Sequence, residues 1–596
     1  MKILYALVLV LSLAFFNSCG EKFLFRKNFE SEYVLSAAPT KIEDTVYGTY
    51  LAGRVAHMRQ DYNLAANYYI KSIELGTENN ALLGSVYLLL ASEGRIDEAA
   101  IYANQALSKG DKSNLIRFIL MSEAMGKNKY DDAYAQTLAI EDKPFKESLL
   151  PLFQGWIFAA QNDEQKALES ITSLKKDKNF LPIYYMHRGM LYDYFGKPDK
   201  ALEAFETLVG DEKMPLSVHG LEIIGNFYIR TGKKDEIVAL VKKYYKQNAQ
   251  APVLKTLYQQ FERQNAQALP KLIDTPQKGL AEAVFSVGTM FRGYQNDVAQ
   301  LFSSLVLYLN SDLDAARLSS ADLLGSSQRL SKAIEEYEKI GDVSPLYYVA
   351  QLKIAESYML QEEQEKAFTT LQNLLKKHPE DEHIMFRLGE LSRVMGRYQN
   401  AVSYYRKALE ENGYDAKASW IVYYALGIAF ERQGDWEKAE NALKKALDLS
   451  ARHPIVLNYL GYSWLERGTN YNEALFMIFE AHRAHPEDGH ITDSLGWALY
   501  KMGNYDEAVK LLERASAFLP SNAVVFDHLG DAYWQVGRKA EAKFQWKHAL
   551  SAKDDKDDIN TNEILQKIEN GLEKATPIPF NEQLLIERLR TIDPTI

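Results

Sequence analysis

Cysteine is nearly absent: Cys19 is the single one in 596 residues. No intrachain disulfide can form, so the fold must be held by packing. Basic charge is also short, with 69 Lys and Arg against 80 Asp and Glu and a net charge of −11. Nucleic acid, which demands a basic stripe, is not an expected partner. Long apolar runs are missing outside the N-terminus, where Ile3 to Phe16 is too short to span a bilayer comfortably. Signatures of chemistry are missing too: there is no phosphate loop, no H-E-x-x-H, no G-x-S-x-G and no convergent set of metal ligands. No nucleophile–base pair can be proposed, and the lone cysteine sits at the N-terminus. The chain is expected to be no enzyme, with no cofactor, metal or small-molecule substrate.

What is present is a period. Leu460-Gly461-Tyr462-Ser463-Trp464, Leu495-Gly496-Trp497-Ala498-Leu499 and Leu529-Gly530-Asp531-Ala532-Tyr533 carry glycines at intervals of 35 and 34 residues. Ala508, Leu512, Ala515 and Pro520 follow the second of them in order. Upstream, Leu426-Gly427, Leu388-Gly389 and Ile354-Ala355 keep the register, and Ala333 with Tyr337 marks one more unit. In the first half Ala52-Gly53, Gly94, Gly155, Gly189 and Ile224-Gly225 hold it more weakly. Gly or Ala at the eighth position of a unit lets its two helices approach. Ala at the twentieth and twenty-seventh admits the neighbouring unit, and Tyr, Phe or Leu fills the space left over. These residues resemble the tetratricopeptide (TPR) repeat. The resemblance implies an all-α TPR solenoid, a right-handed superhelix of antiparallel helix pairs.

The domain reading follows. Residues 46–249 are N-terminal repeats and 314–552 are C-terminal repeats. Between them, 250–313 loses the signature and is interrupted by Pro252, Pro270 and Pro276. It is read as degenerate units or a joint between two arms. Residues 553–596 are a capping helix and tail, in which the amphipathic run from Ile559 to Leu572 covers the last repeat's open apolar face. Four histidines look like metal ligands: His378 and His383, then His485 and His490. Both pairs fall in the same turn of a repeat, where Pro379 or Pro486 ends one helix and Asp381 or Asp488 caps the next.

The N-terminus has the order of a secretory signal. Met1-Lys2 is basic, Ile3 to Phe16 is apolar, and Phe16-Asn17-Ser18-Cys19-Gly20 resembles a bacterial lipobox. Ser18 suits the residue before the cut, whereas Phe16 and Asn17 depart from the usual Leu and small residue. The resemblance implies a signal peptide over 1–18, lipidation of Cys19 and a linker over 19–45. Gly20 in place of aspartate implies an outer-membrane lipoprotein facing the periplasm, anchored by several acyl chains. An ordinary secretory signal, or a soluble repeat protein with a merely apolar start, is the other reading.

In a TPR stack the first helix of each unit lines the concave face at its second, fifth, ninth and twelfth or thirteenth positions. That register selects Asn458 and Tyr462, then Asp493, Trp497 and Tyr500, then Asp527, Asp531 and Trp534. The chaperone-binding members hold a peptide carboxylate with Lys, Asn and Arg there. Only Asn458 fits, and the aspartates would repel a carboxylate. The expected protein partner is an apolar or amphipathic segment with some positive charge. Trp497 is expected to be exposed, because it is offset from the core positions Leu495 and Leu499. From Trp420 to Leu550 the chain resembles a set of proteobacterial TPR lipoproteins. Asn458-Tyr459-Leu460-Gly461-Tyr462, Asp493-Ser494-Leu495-Gly496-Trp497, Asp527 to Trp534 and the phrase ending in Ala542-Lys543-Phe544-Gln545-Trp546 carry that likeness. It implies an adaptor for a carboxy-terminal processing protease, bringing it to substrates such as peptidoglycan cross-link hydrolases. An assembly factor for an envelope machine, a pilus or polysaccharide exporter, is the alternative.

Overall fold

Each helix pair turns on one residue with a left-handed backbone, and these residues recur with the period of the repeat. The computed structural model describes residues 45–592 apart from 77–79, 141–148, 212, 215, 248–251, 265–268, 411–418 and 554–558. Within it, positive φ falls at Gln60, Gly94, Asn128, Asn162, Gly196 and Gly232, then at Gln328, Glu362, Gly396, Gly434, Gly468, Gly503 and Gly537. Glycine takes this conformation without steric cost, and other residues do not. Gln60, Asn128, Asn162, Gln328 and Glu362 carry it all the same, which is why the glycine count shows the period only weakly in the first half. An acidic residue then caps several second helices. Asp61 accepts from the Leu64 amide at 3.1 Å and Asp163 from the Lys166 amide at 3.0 Å.

Every described element is an α-helix or a short 3-10 turn, with no strand among the described residues, so the architecture is the expected all-α TPR solenoid. The expected signal peptide, Cys19 and nearly all of the expected linker lie outside the described residues. Interlocking follows the large-and-small logic of the sequence. A Cβ on Gly389 would lie 2.4 Å from the Tyr405 ring, and one on Gly530 2.5 Å from Trp546. Ala401, Ala408, Ala439, Ala446, Ala508 and Ala515 are all fully buried where neighbouring helices meet. Asp381 and Asp488 accept from the Ile384 and Ile491 amides, each at 3.0 Å, and so cap the helices that follow the two histidine-containing turns.

The chain divides into two compact units, Met1–Thr370 and Leu371–Ile596. Unit 1 begins with six helix pairs, from Val46–Met58 with Tyr62–Glu74 to Val218–Arg230 with Lys234–Gln247. Next come the Pro252–Arg263 helix and the pair Pro276–Gly288 and Asn296–Leu309. Residues 250–313 are therefore not a joint, because the described ones belong inside unit 1. The Pro276–Leu309 pair lies on the first helices of earlier repeats. Gly279 meets the Trp156 ring, Gly126 meets Tyr308, and the Phe302 and Phe118 rings sit 5.3 Å apart. Ser304 Oγ donates to the Ser92 carbonyl at 3.0 Å. The physical reason is apolar surface on more than one side: Leu280, Ala283, Val284, Val287, Leu301, Phe302, Leu305 and Val306 are all buried. Such a pair is stable only when covered on several faces, and the first helices of the early repeats supply the cover.

Unit 2 contains the pairs Glu382–Val394 with Tyr398–Glu410, Trp420–Arg432 with Trp436–Leu449, and Pro454–Glu466 with Tyr471–Ala484. Gly489–Lys501 with Tyr505–Phe518 and Ala523–Gln535 with Lys539–Ala552 complete the repeats, followed by helices Thr561–Asn570 and Glu582–Ile592. The first of these two caps the last repeat by packing on Lys539–Ala552. The second is no loose tail. It buries Leu585 and Leu589 and packs on Tyr471–Ala484, where Arg588 pairs with Glu473 and lies over the Phe476 ring at 4.1 Å.

Candidate partner-binding face

The eight residues selected by repeat register stand in two different environments. In the Pro454–Glu466 helix, Asn458 and Tyr462 are half-buried. Asn458 Oδ1 is buried without a hydrogen-bond partner. The second positions of this helix and of Trp420–Arg432 carry apolar side chains open to solvent, Ile455 and Ile421, each 41% exposed. The aromatic wall beside them is braced from within: Tyr459 donates its hydroxyl to Glu431 at 2.6 Å and meets Tyr424 edge-on at 5.5 Å. A buried acceptor without a donor, one helical turn from the exposed Ile455, suits an incoming chain that brings both an N–H and apolar side chains.

The Gly489–Lys501 helix differs from the expectation. Trp497 is only 8% exposed. Its ring stacks on Tyr500 at 4.7 Å and on His528 at 4.0 Å, and its indole N–H donates to Glu466 at 2.6 Å. It is offset from its own helix's core stripe, as the sequence indicates, but residues of the preceding and following repeats close over it. Asp493 is also buried and faces His528 Nδ1 at 3.1 Å from both oxygens. Burial disfavours the charged imidazole, yet Asp493 outweighs it and raises the His528 pKa.

In the last repeat, Asp527, Asp531 and Trp534 already have partners from beyond the repeats. Lys567, 6% exposed, places its ammonium 3.0 Å from both Asp527 oxygens and 2.9 Å from Asp531 Oδ2. Asp531 also accepts from the Trp546 indole at 2.8 Å. Burial and the adjacent Asp527 push the Asp531 carboxyl up to about 6 against the pull of Lys567. Burial works against the Lys567 ammonium, but the two aspartates raise its pKa. Trp534 donates to the Leu572 carbonyl at 2.7 Å. The register thus brings Asp527, Asp531 and Trp534 together around a segment of the same chain and leaves Asn458 and Tyr462 in a separate place. His528, Glu466, Gln535 and Lys567 are missed by the register. Lys567 had a signal: it stands three residues after the buried Ile564 on one side of an amphipathic helix.

Comparison with known proteins bears on the repeat. Family models described as tetratricopeptide repeat match residues 187–252, 349–381, 380–452 and 424–488, and one described as TPR repeat matches 496–537. Those segments leave 253–348 between them, a span that includes most of 250–313, where the signature is lost. The TPR repeat-containing protein PA4667 of Pseudomonas aeruginosa is 25% identical over 222 residues, covering 37% of this chain and 31% of that protein. The chain thus spans about a third of that relative's length. Among solved structures, the Cut9–Hcn1 hetero-tetramer of the APC/C is 15% identical, covering 88% of this chain and 96% of that one at a TM-score of 0.36. A tetratricopeptide repeat protein from Parabacteroides merdae is 17% identical, covering 43% and 97% at a TM-score of 0.35. From its repeat signature, its helix pairs and the matched segments, this chain is a tetratricopeptide-repeat protein, of a fold that serves as a protein-interaction scaffold.

Proposed function

We propose that the protein is a lipid-anchored scaffold of the bacterial periplasm, tethered to the outer membrane through Cys19, that holds partner proteins on the concave face of its C-terminal unit. One observation carries the choice of unit. In unit 1 the first helices Asn80–Ser92, Asn114–Gly126 and Leu150–Ala160 are covered by the unit's own Pro276–Leu309 pair, whereas in unit 2 Ile421 and Ile455 stay 41% exposed and the Asn458 side-chain carbonyl, one turn from Ile455, is unpaired. The resemblance of Trp420 to Leu550 to protease adaptors supports a carboxy-terminal processing protease and cell-wall hydrolases as the partners. Anchor and groove together raise the effective concentration of a captured enzyme near the wall.

Crosslinking of the tagged protein in cell envelopes, followed by mass spectrometry, tests the partner. Recovery of a soluble protease or hydrolase is expected, and recovery of only pilus or export subunits would favour the assembly-factor reading. Palmitate labelling tests the anchor: Cys19→Ala is expected to abolish it and to move the protein out of the membrane fraction. Unchanged fractionation would refute lipidation.

A further inference from the structure

After the last repeat, the chain docks on that repeat in two steps. Helix Thr561–Asn570 brings Lys567 between Asp527 and Asp531. Then Gly571, at φ +80°, turns the chain tightly against Trp534, where a Cβ would lie 2.0 Å from the ring. From there to Asn581 the backbone has no regular secondary structure, and it is held by main-chain hydrogen bonds together with Leu572, Ala575, Ile578 and Phe580, which pack against the core of unit 2. Gln535 grips it at two points, donating to the Glu573 carbonyl at 2.9 Å and accepting from the Ala575 amide at 3.3 Å. Tyr505 donates to the Ala575 carbonyl at 3.1 Å, and the Ile578 amide donates to the Lys501 carbonyl at 2.9 Å. Recognition of this kind reads one lysine, a length of backbone and a few apolar side chains such as Ile564, Leu572 and Ile578.

We propose that the last two repeats form a peptide-docking channel whose resident occupant is the chain's own 561–581 segment, and that a partner docks there by displacing it. The partner segment has the same chemistry: an amphipathic helical turn presenting a lysine to Asp527 and Asp531, followed by an extended strand for Gln535, Tyr505 and Lys501. This rests on the scaffold reading and adds to unit 2 a second docking place, separate from Asn458 and its neighbours. A tethered occupant competes at an effective concentration on the order of millimolar, so the intact chain binds such a segment weakly until its own is released.

The probe is a fluorescent peptide of residues 559–592 of this chain. A protease site placed at 554–558 of the full-length protein lets the resident segment be cut without being removed. The cut protein is expected to exchange in the labelled peptide, and a peptide carrying Lys567→Glu at least tenfold less. Retention of the resident segment without exchange, equal uptake of both peptides, or melting of unit 2 on its departure would each overturn the proposal and leave a permanent cap. In a second test without cutting, full-length Lys567→Glu should bind the wild-type peptide at least tenfold more tightly than the unaltered chain. Equal affinity there also overturns it. Neither result bears on the envelope crosslinking, so a failed exchange and a failed scaffold reading stay distinguishable.

Discussion

Trp497 is where sequence register and packing part company. Its indole contacts Glu466 from the repeat before and His528 from the repeat after, and Lys501 lies 4.9 Å from its ring centre. Trp497→Ala therefore opens a cavity and strips two polar groups of their neighbour. A loss of about 3–5 kcal/mol is expected, as for large aromatic truncations, read as a lower urea midpoint for unit 2. Asn458→Ala should stay within about 0.5 kcal/mol of wild type, since its Oδ1 makes no intrachain bond to lose. If Trp497→Ala proved as mild as Asn458→Ala, the stacked arrangement would be wrong. Helical periodicity sees only neighbours along one helix such as Tyr500, whereas Glu466 and His528, which also bury Trp497, lie about one repeat away.

At the scale of elements, the Pro276–Gly288 helix shows how a stretch without signature residues finds its place. It is joined to Val218–Arg230 by His219, whose ring nitrogens lie 2.9 Å from Glu282 and 3.2 Å from Glu222. Burial opposes charge on this ring, but Glu282 and Glu222 outweigh it and raise its pKa to about 10. The folded value stands above the unfolded value of about 6.5. The stability from this link is therefore fully present below about pH 6.5 and lost as pH rises through about 10. Unit 1 has one tryptophan, Trp156, so its fluorescence isolates that unit's unfolding. The urea midpoint by that signal should fall between pH 7 and 10, and His219→Gln should flatten the fall. An equal slope in the variant would dissociate His219 from it. The helical character of 276–309 was legible in the sequence; its docking was not. Its contacts with Ser92, Phe118, Gly126 and Trp156 span well over a hundred residues, a separation on which local pattern carries no information.

At the scale of the whole molecule, the two units use their first helices differently. Unit 1 covers the first helices Asn80–Ser92, Asn114–Gly126 and Leu150–Ala160 with its own inserted pair, and unit 2 covers the last of its own with Thr561–Asn581. In unit 2, Ile421 and Ile455 are exposed apolar residues at the second position of their repeats, and they serve to test capture. Ile421→Asp with Ile455→Asp should cut partner recovery from envelopes at least tenfold while shifting the melting temperature by no more than about 2 °C, because exposed positions contribute little to stability. A large thermal shift would assign both isoleucines to packing, and undiminished recovery would move the partner elsewhere. The sequence by itself determined the repeat, its 34-residue phase, the all-α class and the capping turns, because each depends on contacts within a unit or between adjacent units. Only the tertiary structure decided which faces of those units are already occupied. Occupancy is settled by segments such as 276–309 and 559–592, whose partners lie far away along the chain. It depends on which apolar and charged surfaces meet once the stack is formed.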